Sequence, residues 1–173
     1  MAITLYDATV LGFMQTVNAM QGVMTRALEH CTQTGLAAHE LVETRLAADM
    51  LPFRFQILSV IHHSVGAIEG AKRGEFRPPG ESPAFDYAAL QNALTQASAQ
   101  LASYASADIN ALEGREVVFK VPSMTIPFTA ESFLLSFSMP NFHFHATTAY
   151  DILRTKGVPL GKRDYLGSPR IKR

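Results

Sequence analysis

A single cysteine in 173 residues excludes two kinds of chemistry at once. Cys31 has no partner within the chain, so no internal disulfide can form and no cysteine cluster can hold a metal. A lone thiol suits a reducing compartment, and the expected location is cytoplasmic. Net charge is also lacking: fifteen basic and fifteen acidic residues cancel. A neutral chain has no broad electrostatic attraction for nucleic acid or an anionic membrane, and neither is expected as a partner. The opening "MAITLYDATV" lacks the basic region and cleavage site of a secretory signal. The longest stretch without formal charge, Ser132 to Tyr150, carries Ser, Asn, Thr, His and Pro residues that fit lipid poorly. Catalytic signatures are missing too. There is no HExxH, no phosphate-binding loop, no Gly-rich dinucleotide turn and no CxxC pair.

What is present is helical periodicity. Ile3, Tyr6, Val10, Phe13, Val17, Met20, Met24 and Ala27 recur by threes and fours, which defines one buried face of a long helix ending at Gly35. "LAAHELVETRL" reads as a short connecting helix. A second long helix runs from about Pro52, suited to a first-turn position, to Gly74. "GEFRPPGESPAF" has too much Gly and Pro for a helix and reads as a long loop. Tyr87, Leu90, Leu94, Ala97, Leu101 and Tyr104 mark the third helix. "REVVFKVPSMTIPF" places β-branched residues on either side of a Pro-Ser turn, the pattern of a short hairpin, and Pro127 makes it an edge ribbon. The fourth helix begins near Thr129 as N-cap with Glu131 in its first turn. It should bend or restart at Pro140 and stop before Gly157. The expected fold is an all-α four-helix bundle with a short hairpin between the third and fourth helices. It forms a single domain over 1–173, of which 168–173 read as a flexible basic tail. Leu5, Leu11, Met14 and Val23 lie outside the stripe of the first helix, a second apolar face that a two-fold partner could cover, so a homodimer is expected.

The stretch "NFHFHATTAYDILR" carries the candidate chemistry. His143 and His145 are two residues apart, roughly 200° around a helix, and cannot serve one site. His145 shares a face with Asn141, Thr148, Ala149 and Ile152, whereas His143 goes with Thr147, Asp151 and Arg154 and looks outward. On the second helix, His63 is in line with Gln56, Val60, Ala67 and Gly70, while His62 goes with Phe55, Leu58 and Glu69. Small residues beside His63 leave room for a ligand or for close helix packing. Inward histidines from two helices could flank one cavity, as in metal sites of bundles. Equally, each could be a core histidine satisfied by a nearby Ser, Thr or Asn.

The run "MPNFHFHATTAYDILRTKGVPLGKRDYLG", with "RLAADMLPFRFQI" upstream, resembles an uncharacterised bacterial domain-of-unknown-function family. That family is similar to the DinB/YfiT-like metalloenzymes, helical bundles often found as dimers. In the DinB pattern one histidine of the second helix and two of the last, four residues apart, hold a divalent metal such as zinc or nickel. The resemblance puts His63 and His145 at two of these positions and Asn141 at the third. It implies a ligand pocket of His63, Asn141 and His145, with His63 and His145 as metal ligands. Asn is a weak neutral donor that suits hard cations better than zinc, so a metal is expected to be weakly held or absent. Two functions stay open. One is a non-enzymatic or small-ligand-binding bundle with a degenerate metal-type pocket, and the other a divalent-metal hydrolase or thiol-linked transferase.

Overall fold

The computed structural model describes residues 2–80 and 84–172; residues 81–83 of the expected long loop and Arg173 of the expected tail lie outside them. The first helical stretch is split into α1 (Leu5–Ala8) and α2 (Val10–Thr34). Thr4 caps α1 reciprocally: its hydroxyl accepts from the Asp7 backbone N–H, and the Asp7 carboxylate accepts from the Thr4 N–H. Ile3 therefore precedes the helix and is 81% exposed, so the expected stripe loses its first member. Val10, Phe13, Val17, Met20, Met24 and Ala27 are fully buried. A left-handed Gly35 ends α2, and α3 (Ala38–Glu43) follows.

The second long helix consists of α4 (Phe53–Ile61), a π-helical segment (His62–Gly66) and α5 (Ala67–Arg73), with right-handed backbone at both junctions. Pro52 stands just before the first turn, as the N-cap. Ser64 helps to explain the widened segment. Its hydroxyl donates to the carbonyls of Val60 (2.7 Å) and Ile61 (3.2 Å), competing with the backbone ladder. Left-handed Gly74 ends α5 and turns the chain into β1 (Glu75–Phe76). This strand corrects the reading of "GEFRPPGESPAF" as loop throughout. Once the Gly74 carbonyl accepts from Val118 N–H, the chain is led alongside a later strand, and Phe76 is buried beneath it.

α6 (Tyr87–Ser103) is capped by Asp86, whose carboxylate accepts from Ala89 N–H at 2.7 Å. Tyr87, Leu90, Leu94, Ala97 and Leu101 form its buried stripe. After α7 (Ser106–Asn110), β2 (Glu116–Val121) and β3 (Met124–Thr129) pair antiparallel, with Val121 opposite Met124 across the Pro122–Ser123 connection. The sheet order is β1-β2-β3, with β1 parallel to β2, so Pro127 lies on an edge strand, where its missing N–H breaks no ladder.

The last long helix is α8 (Ala130–Ser132), a second π segment (Phe133–Ser138) and α9 (Met139–Thr155). Thr129 caps it, accepting from Ser132 N–H. Pro140 neither stops nor restarts it. Proline lacks an N–H and would clash with the carbonyl four residues back, Ser136, and the wider π turn immediately before it relieves that clash. α10 (Lys162–Leu166) follows, and residues 168–172 contain no helix or strand.

The chain is thus mostly helical with a small three-stranded sheet. Among the described residues no helix is long and apolar enough to cross a membrane. The second apolar face expected on the first helix is largely covered by the chain itself. Leu5 and Val23 belong to the core and Met14 packs against it, because α7 packs on α1 while α6 and α10 pack on α2.

Candidate functional site

His63 lies within the first π segment, His145 lies on α9 about two turns beyond the second, and the two segments meet. α4 and α9 pack along their lengths. This brings the His63 and His145 rings to a centroid separation of 5.9 Å with planes only 14° apart. Ser138, the last residue of the second π segment, reaches across to the first. Its hydroxyl donates to the His63 carbonyl at 3.0 Å and lies 3.3 Å from His63 Nδ1. π turns inside α-helices leave backbone carbonyls free for such contacts and recur at functional sites.

Each imidazole is held through Nδ1. His145 Nδ1 lies 2.7 Å from Gln56 Oε1, and the Gln56 amide nitrogen donates to the Leu51 carbonyl at 2.8 Å. That second bond fixes which end of the amide faces His145. An acceptor oxygen demands a donor, so Nδ1 of His145 carries the proton and Nε2 the lone pair. Ser138 works the same way. Its one proton goes to the His63 carbonyl, so its oxygen accepts from His63 Nδ1–H and leaves Nε2 of His63 with a lone pair. No buried polar side-chain atom lacks a partner among the described residues, and none hydrogen-bonds either Nε2. Both nitrogens therefore reach accessible space.

The surroundings keep these rings neutral. Burial lowers His63 to about 3, with the neighbouring His62 and His145 acting in the same direction. Burial, then His62, lowers His145 to about 4. His62 is lowered by burial, against a hydrogen bond from its Nε2 to the Arg77 carbonyl at 2.9 Å. Aromatic rings supply much of the burial: Phe55 is edge-on to His145, and Phe76 and Phe137 lie against His63.

The expected third member makes its hydrogen bond within its own helix. Asn141 is half-buried on α9, and its amide donates to the Phe137 carbonyl one turn back at 2.8 Å. No hydrogen bond joins it to either histidine among the described residues. His143 is exposed, its Nδ1 3.4 Å from the Tyr165 hydroxyl. Gly70 does not open space beside His63, because a Cβ there would meet the Phe76 ring at 2.9 Å and the Glu75 carbonyl at 3.2 Å. That room is used for close packing of β1. Gln56 and Ser138 are the site residues the sequence reading did not single out. The available signal was a polar side chain two turns before His63 within an otherwise apolar stripe; nothing comparable marked Ser138.

The sequence matches the domain-of-unknown-function family DUF1993 over residues 5–166. The chain belongs to that family. No curated protein matches it. Among solved structures it is similar to a crystal structure of a DinB family member protein from Shewanella denitrificans, with a TM-score of 0.82 and 26% identity. The alignment covers 98% of this chain and 95% of that one. The DUF1993 chain thus has the DinB-like likeness that its C-terminal motif suggested.

The donor set can be tested against a zinc or nickel ion of the kind that likeness implies. Two neutral imidazoles with fixed Nδ1–H groups are suitable ligands. A catalytic zinc site nonetheless takes three protein ligands. Among the described residues no group of three His, Cys, Asp or Glu side chains could hold a metal. Asn141, the third position that likeness implies, is a weak neutral donor whose amide nitrogen is engaged with its own helix, and Nε2 of the neighbouring His62 is engaged with the Arg77 carbonyl. The residues do not fit a tightly held zinc centre.

Proposed function

We propose that this member of DUF1993 is a homodimeric, non-enzymatic, small-ligand-binding four-helix bundle of DinB type, with a degenerate metal-type pocket at His63 and His145. The observation that carries the reading is the pair itself: two imidazoles, His145 held at Nδ1 by Gln56 and His63 at Nδ1 by Ser138, without a third strong ligand among the described residues. Acid–base catalysis near neutral pH is poorly served here, because a base works best with a pKa close to the working pH and these groups lie at about 3 and about 4. Support for the homodimer comes from apolar side chains left in the open, Phe144 on α9 (57% exposed) and Leu51 before α4. The free thiol of Cys31 supports a cytoplasmic location.

The second reading is a divalent-metal-dependent hydrolase or thiol-linked transferase, favoured by the Nε2 lone pairs of the same two rings. Calorimetric titration with zinc and nickel, with elemental analysis of the purified protein, separates the two. Weak binding, with dissociation constants above micromolar, supports the ligand-binding reading. A stoichiometric metal held tightly overturns it in favour of the second.

A further inference from the structure

We propose that a second copy of this chain docks on the apolar face running from the β2–β3 hairpin across α9 to the start of α4, and so closes over His145 from outside. This rests on the homodimer reading and names the surface that carries it.

Ring side chains follow one another along that face. Phe119 of β2 meets Phe137 with centroids 4.8 Å apart, Phe137 meets His63 at 5.9 Å, and His63 meets His145 at 5.9 Å. Phe55 and Phe144 then flank His145 at 5.8 and 5.2 Å. His63 is buried beneath the row. The other rings are half-buried or exposed, and Phe144 is the most open of them. Leu51, whose carbonyl holds Gln56 against His145, is 48% exposed. Each phenylalanine has on the order of 150–250 Å² to bury, and contiguous wet rings mark a place where another surface sits.

Charge selects the occupant. Neither Phe55 to Ile68 nor Ser132 to Tyr150 contains an Asp, Glu, Lys or Arg, so the exposed positions Pro140, His143, Phe144 and Thr147 are all uncharged. Aromatic enrichment with charge depletion is the composition of an interface core. α6 is equally free of charge, but it exposes Gln, Asn, Thr and Ala, which water serves well. At the two ends of the row the charges are paired within the chain. Glu75 takes Lys120 and Arg77 beside the hairpin, and Glu43 takes Arg54 at the start of α4. A partner of either sign would therefore find no counter-charge and would lose hydration of its own. The matching surface is an uncharged aromatic one, which a second copy supplies by two-fold symmetry. With zero net charge, the copies do not repel each other.

Sedimentation velocity at micromolar concentration tests the face with paired variants. Phe144→Asp and Leu51→Asp, on opposite sides of His145, should each weaken self-association by at least about tenfold. Ile3→Asp is the control, since Ile3 is 81% exposed before α1 and should leave the dimer intact. All three positions are open to solvent, and circular dichroism with thermal melting checks that each variant folds. Carbethoxylation of histidines, read by mass spectrometry, supplies a second measurement. His143 and His145 should react about tenfold faster in Leu51→Asp than in the wild type, whereas His39 should react equally in both. His39 lies on the α2–α6 side of the bundle, in a cavity with Leu28 and Gln91. A wild-type monomer hands the face to some other partner, and overturns both the homodimer reading and this one. A dimer that Ile3→Asp dissociates and the other two variants do not overturns this interface alone. So does a dimer in which His143 and His145 gain no protection.

Discussion

Ser138 joins the two interrupted helices at one point of His63, its hydroxyl serving the His63 carbonyl at 3.0 Å and facing the Nδ1 of the same residue at 3.3 Å. Both residues are buried. Ser138→Ala would leave a carbonyl and a ring N–H without their partner in a dry place. We expect a loss of about 1–3 kcal/mol, read as a lower urea midpoint with unchanged slope. Unaltered stability would show that the bridge contributes nothing.

The histidine pair should make stability depend on mild acid. The folded values, about 3 for His63 and about 4 for His145, lie below the ordinary imidazole value of 6.5. The unfolded chain therefore takes up protons first as pH falls. Their contribution is fully present above about pH 6.5 and is lost progressively as pH drops towards the folded values. His63 alone gives a slope approaching about 1.4 kcal/mol per pH unit in the lower part of that window. Urea unfolding at pH 7, 6 and 5 should show the decline, and His63→Gln should flatten it. Stability that rises on acidification would contradict the burial of neutral rings.

Gly70→Ala opposes two effects of known size. Alanine gains about 0.8–1 kcal/mol of helix propensity over glycine. Its Cβ would also stand 2.9 Å from the Phe76 ring and 3.2 Å from the Glu75 carbonyl, and overpacking of this kind costs about 1–3 kcal/mol. Phe76 is fully buried and cannot simply swing away. A net loss of about 1 kcal/mol is expected in thermal or urea unfolding, and a stabilised variant would show that β1 is free to shift.

Adding the missing ligand should change metal affinity. Asn141 precedes His145 by one helical turn, so Asn141→His would place a third imidazole on that side of α9. Zinc and nickel affinity should rise at least tenfold, about 1.4 kcal/mol, in calorimetric titration. His143→Ala should leave it unchanged, since His143 points to Tyr165. A loss of binding in His143→Ala, with no gain in Asn141→His, would reverse the assignment of the two histidines on α9.

Long-range regularity was legible in the sequence because it repeats. The stripes Val10 to Ala27 and Tyr87 to Leu101 are buried, since three- and four-residue spacing on a helix leaves those side chains one face to share. The inward direction of His63 and His145 followed from the same spacing, and the specific C-terminal motif carried the likeness to DinB-like proteins. Tertiary contact decided what spacing could not. A two-residue strand such as β1 has no period to read and exists because Gly74 turns the chain against β2. The π segments arise from local competition at Ser64 and Pro140, to which a fixed turn angle is blind. The tautomers of the two histidines depend on Gln56 and Ser138, of which Ser138 bonds across from another helix to His63 and Gln56 bonds across to His145. Sequence alone could place two imidazoles facing inward, but only the packing of the second long helix against the last brought Gln56 to His145 and Ser138 to His63.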